Sequence, residues 1–203
     1  MHPQPGFGAI IVAGGRSTRL GRDKASELLL GRALLQHVLD RIEGLVSEIV
    51  VVRAPGQILP ALKTTAPLSV ADDDYPGKGP LGGIYTGLLN SSAYHNLVVA
   101  CDMPLLSRPL LQELLRRASG CDVVMPVLEY PEPLHAVYAR ACIEPIRARI
   151  EADQLKITNF LGAVRVCYIR EDECRAFDPD LRSFLSANTE QDLELARALL
   201  QQG

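Results

Sequence analysis

The segment Gly14-Gly15-Arg16-Ser17-Thr18-Arg19-Leu20-Gly21-Arg22-Asp23-Lys24 carries the residue types that bind phosphate. Paired glycines let backbone N–H groups approach phosphate oxygens closely, and Arg16, Arg19, Arg22 and Lys24 can offset the charge of a triphosphate. No Gly-Lys-Ser/Thr follows four residues after a glycine, so the loop is not a Walker A P-loop. Its bland alternative is a flexible, basic surface loop. Further along, the apolar run at 96–101 ends on Asp102, just ahead of Met103-Pro104. Mg²⁺ is a hard cation that takes one or two carboxylates plus phosphate oxygens, and a single aspartate beside a triphosphate meets that need. A turn aspartate before proline is the competing reading. Between these two segments stands Asp72-Asp73-Asp74, three carboxylates able to hold a metal or the donor edge of a base, with Asp73 and Asp74 expected to be solvated.

The stretch Tyr75-Pro76-Gly77-Lys78-Gly79-Pro80-Leu81-Gly82-Gly83 is too short for an interdomain linker and reads as a functional loop. Its glycines would let the backbone pack on a flat purine, with Pro80 and Leu81 adding apolar contact. It also matches G-x-G-x-x-G. A dinucleotide fingerprint opens a helix directly after a strand, whereas here Asp73-Asp74-Tyr75-Pro76 intervenes and Pro80 interrupts, which disfavours a nicotinamide dehydrogenase. His135 falls at the start of a strand, and taken alone it reads as structural. Asn188 with Gln191 reads as a capping box.

Elements must position these groups. Apolar, β-branched runs at 8–13, 48–52, 68–71, 97–101, 123–125, 136–138 and 164–169 read as buried strands. Leu34, Leu35, Val38, Leu39 and Ile42 repeat at helical spacing, as do Leu110, Leu111, Leu114 and Leu115, and Leu195, Ala196, Leu199 and Leu200. Ser107 can cap the second of these helices, and Gly120 lies just past its end. Strand and helix in alternation imply βαβ units. The expected fold is a doubly wound, three-layer α/β/α domain on a mainly parallel sheet, one domain over 1–203 with an ordered core at about 8–200. In such folds ligands bind beyond the carboxyl ends of the strands, where the loops quoted above begin.

Composition narrows the partners. The apolar fraction is 47%, the charged fraction 22% and the net charge −3, which excludes disorder and coiled coil and argues against electrostatic capture of nucleic acid. No apolar run approaches the roughly 18 residues that cross a bilayer, and Met1-His2-Pro3-Gln4-Pro5-Gly6 resembles no secretory leader, so a cytoplasmic protein without membrane partners is expected. The five cysteines, Cys101, Cys121, Cys142, Cys167 and Cys174, show no C-x-x-C pair and are expected as reduced, buried thiols. The four histidines are scattered without zinc-ligand spacing.

The run Val12-Ala13-Gly14-Gly15-Arg16-Ser17-Thr18-Arg19-Leu20-Gly21-Arg22-Asp23-Lys24-Ala25 resembles the signature loop of the molybdenum cofactor guanylyltransferases, within the nucleotide-diphospho-sugar transferase-like superfamily. The likeness continues through Gly79-Pro80-Leu81-Gly82-Gly83, Cys101-Asp102-Met103-Pro104, Pro133-Leu134-His135-Ala136-Val137-Tyr138 and Asn188-Thr189-Glu190, nearly the whole chain. It implies an Mg²⁺-dependent transfer of GMP from GTP to molybdenum-molybdopterin, with molybdoenzymes or their chaperones as further partners. It implies that Asp102 is the metal ligand and that Lys24 and Arg19 clamp phosphate. Val12, Ala13, Gly14, Gly15, Arg53 and Asp72 stand at nucleotide-contacting positions, and Asn188 and His135 on the acceptor side.

The likeness has gaps. Arg53 stands where the family usually has an asparagine that touches the nucleotide, and an arginine there can reach a phosphate or turn outward. Ser186 replaces the first of two asparagines, and Leu155-Lys156 keeps one of a basic pair. A cytidylyl- or sugar-phosphate nucleotidyltransferase on the same fold is one alternative. A non-catalytic nucleotide-binding or cofactor-delivery protein is another.

Overall fold

The computed structural model describes residues 6–14 and 24–202. β1 (Phe7–Val12) opens the chain, and a short hairpin of β2 (Leu28–Leu29) and β3 (Arg32–Ala33) precedes α1 (Leu34–Ile42). Then come β4 (Glu48–Arg53), β5 (Leu68–Asp72), α2 (Pro80–Asn90), β6 (His95–Ala100), α3 (Arg108–Arg116), β7 (Val123–Val127) and β8 (His135–Ala139). The chain finishes with α4 (Ile143–Glu151), β9 (Val166–Arg170), α5 (Glu171–Arg175) and α6 (Glu190–Gln201).

Seven strands form one sheet in the order β5-β4-β1-β6-β8-β7-β9. β8 runs antiparallel to both neighbours, and every other pair is parallel. The expected architecture is present. From β1 the chain steps outward through β4 and β5 and then returns to the other side of β1 as β6, so the switch point lies between the carboxyl ends of β1 and β6. Alternation along β1 makes the layers. Ala9 and Ile11 join a core with α1 and α3, while Ile10 and Val12 join Leu81, Ile84 and Leu88 of α2 and Ile146 and Ile150 of α4. A third, smaller cluster seats α6 through Leu193 and Ala196 on Leu29, Leu34 and Leu105.

Several expectations need correction. The Gly/Pro segment is a loop only up to Gly79, whose φ of +67° ends it; Pro80 then starts α2, where proline at the first turn costs no hydrogen bond. Leu81 is fully buried and cannot line a base. The glycines serve packing instead: a Cβ at Gly83 would sit 2.9 Å from Val12 Cγ1, and one at Gly87 would sit 2.3 Å from Ile10 Cγ2, so α2 presses directly onto β1. The cap of α6 is Thr189 rather than Asn188: its hydroxyl accepts from Asp192 N while the Asp192 carboxylate accepts from Thr189 N at 2.8 Å. Cys121 and Cys167 are disulfide-bonded rather than reduced, because the β7/β9 register that pairs Val124 with Cys167 brings their Cα atoms to 5.9 Å. Cys101, Cys142 and Cys174 are in no disulfide and are buried, as expected.

Gly87→Ala is expected to destabilise the fold by about 2 kcal/mol through overpacking, visible as a melting point several degrees lower. Thiol titration of the protein denatured without reductant should find three thiols and, after reduction, five.

Candidate active site

Three segments far apart in sequence meet at the switch point. The Lys24 ammonium, in a single 3-10 turn, donates to Asp102 Oδ2 at 2.9 Å and also to Asn188 Oδ1. Asp102 comes off the end of β6, where Cys101 N donates to Val12 O and locks the exit of the strand against β1. Ala187 N donates to Asp102 O at 2.8 Å, so the approach to α6 is pinned to the same residue. The Asp102 side chain is 10% exposed and that of Lys24 25%, so the pair is largely withdrawn from solvent.

A strap from Asp178 to Asn188 delivers the third member. The Asp178 carboxylate accepts from Arg182 N and Ser183 N, and the Ser183 hydroxyl accepts from Ser107 N at 2.7 Å, tying the strap to the start of α3. Asp192 accepts from Asn188 N at 3.0 Å as well as from Thr189 N. Burial pushes its carboxyl up, but the Thr189 hydroxyl and these amides outweigh it, so the group ionises more readily than usual and keeps the strap end fixed. His135 lies behind the strap, fully buried and stacked on Phe184 with ring centroids 4.6 Å apart. The expectation of an acceptor-facing histidine is therefore not met: the Phe184 ring covers it, and neither ring nitrogen closes a hydrogen bond. Burial lowers its pKa to about 4, against weaker opposing effects of Asp178 and the Ser183 backbone.

The residues expected to meet a nucleotide divide. Val12 is spent inside the fold, its side chain under Gly83 and its carbonyl accepting from Cys101 N. Ala13 and Gly14 end the strand with their amides on Val52 O, and a Cβ at Gly14 would come within 2.8 Å of Ala54 N. Arg53, at the end of β4, does not point away: Nε donates to Asp72 Oδ1 at 2.7 Å. Its Nη1 donates to Gln57 O at 2.9 Å, and Gln57 Nε2 reaches Ala13 O at 3.3 Å. Gln57 was invisible in the sequence because it belongs to an irregular segment with no periodicity. Asp73 is not a solvated charge. Its carboxylate accepts from Tyr75 N at 3.0 Å and from the Thr86 hydroxyl, and half-burial raises its pKa despite those bonds. Gly15, Arg16, Arg19 and Arg22 lie outside the described residues.

Metal binding can be tested on the donor set. Among the described residues no three His, Cys, Asp or Glu side chains converge. What converges is a carboxylate and a carboxamide oxygen, already holding one cation, the Lys24 ammonium. Two hard oxygens of this kind suit a cation that arrives with its phosphates better than a resident one. A separate open concavity of about 570 Å³ at the carboxyl ends of β7 and β9 is lined by Val127, Leu128, Arg170, Glu171, Asp172 and Arg175, but Glu171 already neutralises Arg175 at 2.8 Å.

Residues 9–164 match the MobA-like NTP transferase domain. The chain is 35% identical to the molybdenum cofactor guanylyltransferase of Desulfosudis oleivorans, over 96% of each chain. The chain belongs to the molybdenum cofactor guanylyltransferase family. The crystal structure of molybdopterin-guanine dinucleotide biosynthesis protein A from Archaeoglobus fulgidus superposes with a TM-score of 0.80 at 27% identity, covering 97% of this chain and all of that one. A 2-C-methyl-D-erythritol 4-phosphate cytidylyltransferase from Thermus thermophilus superposes at 0.69 with 19% identity over 99% of this chain and 100% of that one, a likeness of fold alone. This member of the family is a nucleotidyltransferase on the fold expected, with Lys24, Asp102 and Asn188 in one cluster. No helix among its described residues is long and apolar enough to cross a membrane.

The buried neutral imidazole gives a signed pH dependence. Unfolded, the histidine takes a proton near pH 6.5, whereas folded it stays neutral down to about pH 4. Stability from this group is complete above pH 6.5 and declines at about 1.4 kcal/mol per pH unit toward pH 4. His135→Phe, which keeps an aromatic ring against Phe184, should flatten that part of the urea midpoint-versus-pH curve.

Proposed function

We propose that this enzyme transfers GMP from GTP to the terminal phosphate of molybdenum-bound molybdopterin, forming the guanine dinucleotide cofactor and pyrophosphate. The observation that carries the reading is the Lys24 ammonium shared by Asp102 and Asn188 at the switch point, which joins the phosphate loop to the acceptor-side segment. An oxygen of the acceptor phosphate attacks the α-phosphorus of GTP, the bond from that phosphorus to the oxygen bridging to the β-phosphorus breaks, and the electron pair departs on pyrophosphate. Lys24 neutralises charge on the non-bridging oxygens, and Asn188 orients the acceptor phosphate beside it. Mg²⁺ entering with the triphosphate would be held by Asp102 and would supply charge neutralisation at the leaving group. Arg19 and the glycines of the first loop complete the phosphate cradle in this reading, and Ala13, Gly14 and Asp72 lie against the base.

The reading is tested by incubating the protein with Mg²⁺, molybdenum-molybdopterin and each of GTP, CTP and ATP, and following pyrophosphate release and dinucleotide formation. GTP alone should serve. A preference for CTP would move the enzyme to cytidylyl transfer, and no pyrophosphate from any of the three would leave a binding or delivery protein. Asp102→Ala is expected to lower turnover by about 10³-fold or more with the fold retained and the melting point lowered by a few degrees, and Lys24→Ala by about 10²-fold or more. Turnover within a few-fold of the parent in Asp102→Ala would remove that residue from the chemistry.

A further inference from the structure

A continuous hydrogen-bonded chain crosses the carboxyl ends of three adjacent parallel strands. It runs from Ala13 O beyond β1 to Gln57 Nε2, from Gln57 O to Arg53 Nη1 at the end of β4, and from Arg53 Nε to Asp72 Oδ1 at the end of β5. The loop after β4 is folded to make this possible. Gln57 N donates to Ala54 O and the Gln57 carboxamide oxygen accepts from Ala54 N at 2.9 Å, which turns the side chain back over the sheet edge. The two ends of the chain are acceptors, a backbone carbonyl and a carboxylate, and both are filled by the protein's own N–H donors.

We propose that Arg53 and Gln57 form an internal cap over the base-reading edge, a specificity determinant that stands in for the donor face of guanine until the nucleotide displaces it. The proposal rests on the guanylyl-transfer reading above. Guanine carries two adjacent donors, N1–H and the exocyclic amine, which match the two oxygens of the Asp72 carboxylate and can take the place of the Arg53 guanidinium on it. Cytosine and adenine present a ring-nitrogen lone pair at the corresponding place. They would set a lone pair against Asp72 and leave the Arg53 ion pair in possession, which is a penalty on the wrong base as much as a reward for the right one. The Arg53–Asp72 pair is half-exposed, with side chains 33% and 53% accessible, so it can open without unfolding anything. The position where this chain departs from the family pattern therefore has a role of its own: Arg53 trades affinity for discrimination.

The test is calorimetric titration of the full chain and of two variants, Arg53→Asn and Arg53→Ala, with GTP, GMP and CTP in the presence of Mg²⁺. Removing a competing exposed ion pair should tighten GTP and GMP by the same factor, about three- to fivefold, in both variants. Gain in Arg53→Asn alone would mean a new carboxamide contact and would overturn the cap. Weaker GTP binding in both variants with GMP little changed would make Arg53 a clamp on the β- or γ-phosphate, and unchanged binding of both nucleotides would make the chain a bystander. Either result overturns the proposal while leaving guanylyl transfer intact. A parent protein that binds CTP as tightly as GTP would overturn the guanine reading itself and the cap with it.

Discussion

The Lys24 ammonium is the constraint around which the site is arranged. It bridges residues 78 and 164 positions away in sequence, and with it the three segments that leave β1, leave β6 and enter α6 are held at one point. An ammonium with three donors and no acceptor is suited to this, because two oxygens can share it without a geometric quarrel. The rest of the architecture serves that meeting. The parallel pairing of β1 with β6 sets the exit of Asp102 beside the end of β1, and the strap knitted by Asp178 and Ser183 carries Asn188 back across the sheet edge.

Packing and chemistry make different demands on the same glycine-rich stretch. Gly83 and Gly87 bring α2 into contact with the side chains of Val12 and Ile10, which packs β1 tightly just before Ala13 and Gly14. Asp73 likewise contributes structure: its bonds to Tyr75 and Thr86 hold the loop that starts α2, next to Asp72, which faces outward onto Arg53. Adjacent residues of one acidic run thus have opposite tasks, assigned by which way the backbone turns after β5.

Much of this was legible before any coordinates. The five inner strands are buried and read as apolar runs, whereas the edge strands β5 and β9, also expected as buried, are mostly half-buried or exposed because each has a neighbour on one side only. α1 and α3 show an apolar stripe at helical spacing, and the Ser107 cap and Gly120 stop sit where the local chemistry puts them. Lys24, Asp102 and Asn188 were each legible as chemistry-bearing positions. α4 was not, since only Ile146 and Ile150 are buried in it and two positions do not make a periodicity. The helical character of Pro80–Asn90 was hidden by glycines that weaken helix propensity yet are required by the close approach to β1.

By itself the sequence determined the order and type of most elements, the carboxyl-edge location of the candidate residues and the family likeness, because these follow from local periodicity and short motifs. Tertiary structure alone decided who meets whom. It sealed His135 behind Phe184, joined Cys121 to Cys167 across a strand pair, and placed Gln57 on Ala13 and Arg53 on Asp72. Each of those contacts links segments that are distant in the chain or lie in irregular loops. Their partners are chosen by sheet register and by the path of the backbone between strands, neither of which leaves a periodic trace in the order of residues.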